Sequence, residues 1–86
     1  MDSFDKMREL LNEQNHWPAE YTYKFIVPHE HVLTLIKEVG HSGEYSERPS
    51  KSGKYVSVTF KILMSHADKI IEVYKRAQKV PGILSL

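Results

Sequence analysis

The stretch RPSKSGKYVSVTFKILM, residues 48–64, decides the fold. It opens as a loop of Ser, Lys and Gly. From Tyr55 to Met64 the apolar residues Val56, Val58, Phe60, Ile62 and Met64 then alternate with Tyr55, Ser57, Thr59, Lys61 and Leu63. Successive side chains of a strand point to opposite faces, so this pattern predicts a strand with one face on a core and one mostly polar face toward water. Ser50 to Lys54 supply what a hairpin turn demands, with Gly53 free to take a positive φ. The polar residues just before the turn predict an outer strand, because Pro49 has no ladder N–H and is tolerated at an edge or a strand end.

Working outward, residues 20–27, EYTYKFIV, predict a second strand with Tyr21, Tyr23, Phe25 and Val27 on its core face and Thr22, Lys24 and Ile26 opposite. Pro28 then suits the first turn of a helix, whose apolar stripe is Val32, Leu35, Ile36 and Val39. Gly40 stops it, with Lys37 in its last turn. Beyond Met64, Ser65 and Asp68 have the spacing of a capping box. They open a helix to Lys79 whose buried stripe is Ala67, Ile70, Ile71, Tyr74 and Ala77, with Glu72 and Arg76 a turn apart on the wet side. Pro81 and Gly82 end it, and Ile83, Leu84 and Leu86 predict a short closing strand. Ahead of everything, Phe4, Met7, Leu10 and Leu11 recur at helical spacing over residues 3–14, with Ser3 placed to cap; His16, Trp17 and Pro18 end this helix.

The order is helix, then strand, helix, strand, strand, helix, strand. It predicts an α+β, ferredoxin-like βαββαβ sandwich, with two helices on one face of a four-stranded antiparallel sheet and an extra N-terminal helix. Residues 1–16 form that helix and residues 17–86 a single domain. The helix docks either on its own domain or on a partner. The face that the helices leave open should carry Lys24, Ile26, Tyr55, Ser57, Thr59 and Lys61, and such a surface is where a ligand or partner binds.

Composition narrows the classes of function. Eighty-six residues, 41% hydrophobic and 27% charged, suit one soluble domain with a single small core. A formal charge of +1 provides no long-range attraction to nucleic acid or to an anionic membrane. The lack of cysteine excludes disulfides and thiolate chemistry and suits a reducing compartment. MDSFDKMRELL carries acidic residues where a secretory signal has positive charge, and no stretch has transmembrane length; the expectation is a cytoplasmic protein.

No catalytic constellation stands out, and the expectation is a protein that is not an enzyme and holds no cofactor. His29 and His31 fall at a helix start, where an offset of two residues points side chains apart, so no metal site is expected. Ser50, Ser52 and Ser57 have no histidine nearby in sequence. The Gly53-Lys54 pair lacks the first glycine of a P-loop and leads into a strand, whereas phosphate loops lead into a helix. RNA-recognition motifs stack bases on aromatics two residues apart; here Tyr55 can stack and Ser57 cannot. Lys24, Arg48, Lys51, Lys54 and Lys61 make a modest basic surface, which leaves weak binding of single-stranded nucleic acid as an alternative.

Three segments carry a resemblance: WPAEYTYKFIVP (17–28), RPSKSGKYVSVTF (48–60) and VPGILSL (80–86). They resemble the YbeD-like family of small bacterial proteins of unknown function. The most specific part is S-x-S-G-K-Y-x-S-x-T, here Ser50, Ser52, Gly53, Lys54, Tyr55, Ser57 and Thr59. The resemblance implies a ferredoxin-like domain similar to ACT regulatory domains, sometimes labelled lipoate-linked regulators, and brings no catalytic residues. One departure is that amino-acid-binding ACT domains often have glycine at the turn from first strand to first helix, where this chain has Val27, Pro28 and His29.

The leading expectation is a non-catalytic, cytoplasmic, ACT-like module that acts by binding a small metabolite or a partner protein, as a homodimer. Its binding loop is Ser50, Ser52, Gly53, Lys54 and Tyr55, with Lys54 supplying charge and backbone N–H groups receiving an anion. A structural adaptor docked through the N-terminal helix is a further alternative.

Overall fold

A computed structural model describes residues 4–40 and 43–86. Along the chain run α1 (Asp5–Gln14), β1 (Ala19–Pro28), a 3-10 turn (His29–His31), α2 (Val32–Val39), β2 (Glu44–Pro49), β3 (Tyr55–Met64), α3 (Ala67–Ala77) and β4 (Leu84–Ser85). The strands form one antiparallel sheet in the order β2-β3-β1-β4. This is the ferredoxin-like arrangement with an added N-terminal helix.

The two long strands organise the core. β1 pairs with β3 from Ala19↔Met64 to Pro28↔Tyr55, which sets Tyr23 against Phe60, Phe25 against Val58 and Val27 against Val56. All six are buried, together with Leu35 and Val39 of α2 and Ile70, Ile71, Val73 and Tyr74 of α3. Each large apolar side chain in this layer contributes roughly 1.5–3 kcal/mol relative to exposure. The β3 alternation appears as predicted, with Val56, Val58, Phe60, Ile62 and Met64 all inward.

Buried aromatics need partners for their hydroxyls. The Tyr23 hydroxyl donates to the Ile70 carbonyl at 2.9 Å, and the Tyr21 and Tyr74 hydroxyls bond each other at 2.8 Å. The Tyr23 ring stacks on Phe25 at 5.9 Å and meets Tyr74 edge-on at 4.9 Å. An aromatic ladder thus ties β1 to α3.

The N-terminal helix docks on its own domain. Leu11 is buried, and Phe4 and Met7 pack against the core. Arg8 bonds Asp5 at 2.8 Å and Asp68 of α3 at 2.5 Å, and the Lys75 ammonium lies 5.6 Å from the centre of the Phe4 ring. Leu10, read as part of the apolar stripe, is instead 46% exposed, because Phe4, Met7 and Leu11 already line the one face that meets α3. Ser3, the expected cap, lies outside the described residues.

Other local expectations give way to the backbone. Pro28 does not open the helix: its ψ of 140° is extended, it closes β1 opposite Tyr55, and a 3-10 turn leads into α2. The N–H of His29 then donates to the Lys54 carbonyl at 2.9 Å, tying this turn to the hairpin. Ser65 and Asp68 form no capping box. His66 is the residue flanking α3, no side chain among the described residues caps it, and the Asp68 carboxylate takes Arg8. The same helix ends at Ala77 and not at Lys79, with Glu72 and Arg76 paired at 2.5 Å on its wet side. Gly40 ends α2 in the left-handed conformation, as expected. Among the described residues no helix is long and apolar enough to cross a membrane.

Burial pushes the phenols of Tyr23 and Tyr74 well above their usual range. The folded protein therefore keeps protons that the unfolded chain sheds near pH 10, so stability held at neutral pH falls as pH rises past about 10. Tyr23→Phe is expected to lose about 1 kcal/mol at pH 7 and to show a smaller alkaline loss, read by urea unfolding at the two pH values. Gly53 and Gly82 both have positive φ, at 75° and 73°. A Cβ at Gly53 meets nothing within 4 Å, whereas one at Gly82 lies 2.8 Å from Cγ of Pro28. Gly53→Ala should thus cost about 1 kcal/mol and Gly82→Ala clearly more, in thermal or urea melts.

Candidate functional site

The hairpin between β2 and β3 is held by its own serines. Ser50 N–H donates to the Tyr55 carbonyl at 2.8 Å, and Gly53 N–H to the Ser50 carbonyl at 3.0 Å. The Ser50 hydroxyl accepts from Tyr55 N–H and the Ser52 hydroxyl from Lys54 N–H, both at 3.3 Å, and the two hydroxyls lie 3.3 Å apart. The N–H groups of Gly53, Lys54 and Tyr55 are therefore engaged inside the loop. Ser50, Ser52 and Gly53 shape the turn, and what it offers outward is the side chain of Lys54 and the Tyr55 ring, which is 48% exposed.

The open face beside this loop follows from the strand registers. Arg48, Ser57, Ile26 and Leu84 form one row across the sheet; Ser46, Thr59 and Lys24 form the next; Glu44, Lys61 and Thr22 a third. The chain then places Leu86 beside Lys24, whose carbonyl accepts the Leu86 N–H at 2.9 Å. Two shallow depressions lie here. One, of about 250 Å³, is bounded by Ile26, Arg48, Pro49, Ser50, Tyr55 and Ser57. The second, of about 280 Å³, has Lys24, Ser46, Arg48, Ser57, Thr59 and Leu86 around it, with Glu47 and Val58 at its wall.

Arg48 and Ser57 border both depressions, so loop and sheet face make one continuous surface. Its chemistry is exposed cations, hydroxyls, one aromatic ring and an apolar margin, with Glu47 at one wall. Cations next to hydroxyl donors bind carboxylate or phosphate oxygens through charge-assisted hydrogen bonds. Of the loop residues singled out from sequence, Ser50 and Tyr55 border this surface, and Lys54 stands at the hairpin end. Ser46 and Leu86 were not foreseen. Ser46 carries no signal until its pairing with Thr59 is known, and Leu86 is placed by a bond to a residue far away in sequence. Among the described residues, no three His, Cys, Asp or Glu side chains gather to hold a metal ion.

The family described as "Protein of unknown function (DUF493)" matches residues 12–86. A UPF0250 protein of Yersinia pestis (strain Pestoides F) is 32% identical over 75 residues, covering 80% of this chain and 86% of the relative. A UPF0250 protein of Sodalis glossinidius (strain morsitans) is 30% identical over 80 residues, covering 86% of this chain and 92% of the relative. No solved structure matches the chain significantly. By its match over nearly the whole sequence, the chain belongs to the DUF493/UPF0250 family of proteins of unknown function, the YbeD-like family that its motifs resemble.

Proposed function

We propose that this chain is a non-catalytic, ACT-like regulatory module that binds a small anionic metabolite on the open face of its sheet. The observation that carries the reading is the placement of Lys24 and Arg48 on either side of a hydroxyl strip, Ser57 and Thr59, on a face without helices. Tyr55 borders it from the hairpin end, and Lys54, the next residue back along the loop, adds positive charge near it without lining either depression. Depressions of about 250 and 280 Å³ fit a small carboxylate or phosphate ester and no larger cofactor. Among the described residues no histidine borders either one, and the groups present suit holding an anion more than moving a proton. The cysteine-free composition fits a cytoplasmic setting.

Regulation requires that the ligand bind one state of the module, or of its assembly, better than another. An acidic segment of a partner protein would use the same cations. Single-stranded nucleic acid fits less well, since Tyr55 offers one stacking ring on this face. Titration of labelled protein with a panel of small dicarboxylates and phosphate monoesters, followed by NMR, should move the amides of Tyr55, Ser57 and Thr59. Lys24→Ala should weaken that binding by about tenfold and Lys54→Ala by less, and added salt should weaken it further. Unchanged affinity in the double variant, or a response only to oligonucleotides, removes this reading.

A further inference from the structure

The β2 strand is the outer edge of the sheet, six residues long and exposed throughout. An uncovered edge is a template for another strand. Which groups it presents follows from the ladder: Ser50 N–H bonds inward to Tyr55, and backbone groups of an antiparallel strand alternate between neighbours. Arg48, Ser46 and Glu44 therefore bond toward β3, while Tyr45, Glu47 and Pro49 direct their backbone outward. Pro49 sits where a missing N–H leaves only an outward donor absent.

We propose that β2 is a self-association surface, pairing antiparallel with β2 of a second copy about a two-fold axis at Ser46 and joining the two sheets into one. In this register Tyr45 of each copy faces Glu47 of the other, and each such pair exchanges both of its N–H···O=C bonds. Glu44 of each copy faces Arg48 of the other on the open face, so opposite charges meet twice. Charges on an edge strand ordinarily repel a second strand. Here their order along EYSERP makes the strand complementary to itself. A two-fold at Glu47 instead sets like charges together and places Pro49, with no N–H, against Tyr45. A two-fold at Tyr45 leaves Glu44 against Ser46, with no charge pair. Only the Ser46 register uses both charges.

Two paired edges alone make a marginal interface. On the helix side of β2 lies a depression of about 540 Å³, bounded by Val32, Leu33, Glu47, Pro49 and Val56 with His29 and Glu30. Leu33 at its rim is 76% exposed, and Tyr45 on the same side of the sheet is 43% exposed. Apolar surface thus flanks the edge where a second copy arrives. This dimer does not rest on the ligand reading.

Sedimentation velocity over a concentration series tests it. The protein is expected to dimerise. Glu44→Arg or Arg48→Glu alone should weaken the dimer by about tenfold, and the combined swap should restore it, because the charges then pair in reverse. The chain has no cysteine, so Ser46→Cys introduces a single thiol. At a non-hydrogen-bonded pair on the axis, with Cα atoms about 4.5 Å apart, it should form a disulfide-linked dimer on mild oxidation, and Lys51→Cys should not. A monomer at all concentrations up to about 1 mM overturns the proposal. So does a dimer indifferent to both reversals, a folded swap that fails to rescue, or cross-linking at Lys51→Cys as readily as at Ser46→Cys. Lys24→Ala, which should weaken ligand binding, should leave the dimer intact, so failure of one reading is separable from failure of the other.

Discussion

The pairing of β1 with β3, ten residues in register from Ala19↔Met64 to Pro28↔Tyr55, is the constraint on which the rest of this protein depends. Because strand side chains alternate with a period of two, a slip of one residue would send one strand's apolar row into water. The register as it stands puts Tyr23, Phe25 and Val27 against Phe60, Val58 and Val56, and α2 and α3 close over them. It also builds the opposite face, since the same alignment brings Lys24 to Thr59 and Ile26 to Ser57. Core and candidate site are two sides of one alignment.

All three helices lie in the covering layer. α1 adds Phe4, Met7 and Leu11 to it, and Arg8 clasps Asp68 of α3, so the N-terminal segment thickens the helical side and leaves the other face bare. An antiparallel sheet tolerates this, because one of its faces can be polar and solvated. The adaptor reading that sends α1 to a partner would have to break these contacts first.

The sheet has unlike edges. β4 is two residues long and pairs only with Phe25 and Ile26, so it offers little to a second strand. β2 offers six residues. Arg48 belongs both to the open-face depressions and, in the proposed dimer, to the pair with Glu44 of the second copy. A ligand that takes the Arg48 guanidinium competes with that pair, and linkage makes the effect reciprocal: whatever ligand does to assembly, assembly does to ligand affinity. In the proposed regulatory role, this competition supplies the unequal ligand affinity of two assembly states that regulation requires.

The residue pattern by itself determined the strand Tyr55–Met64, the inward row of β1, the stop of α2 at Gly40, the turn at Gly53, the edge position implied by Pro49 and hence the βαββαβ order. Each of these is a local matter of alternation or of permitted φ, legible within a few neighbours. What only the tertiary structure decided are features governed by distant partners. Pro28 ends a strand because Tyr55 lies opposite; Asp68 leaves the helix cap because Arg8 is within reach; Leu10 faces water because α3 meets one side of α1; the serines of the hairpin turn inward because its own N–H groups need acceptors. The grouping of Lys24, Ser46, Arg48, Ser57, Thr59 and Leu86 is of the same kind, for periodicity assigns each residue to a face, while only the pairing of strands far apart in the chain says which residues on that face stand side by side.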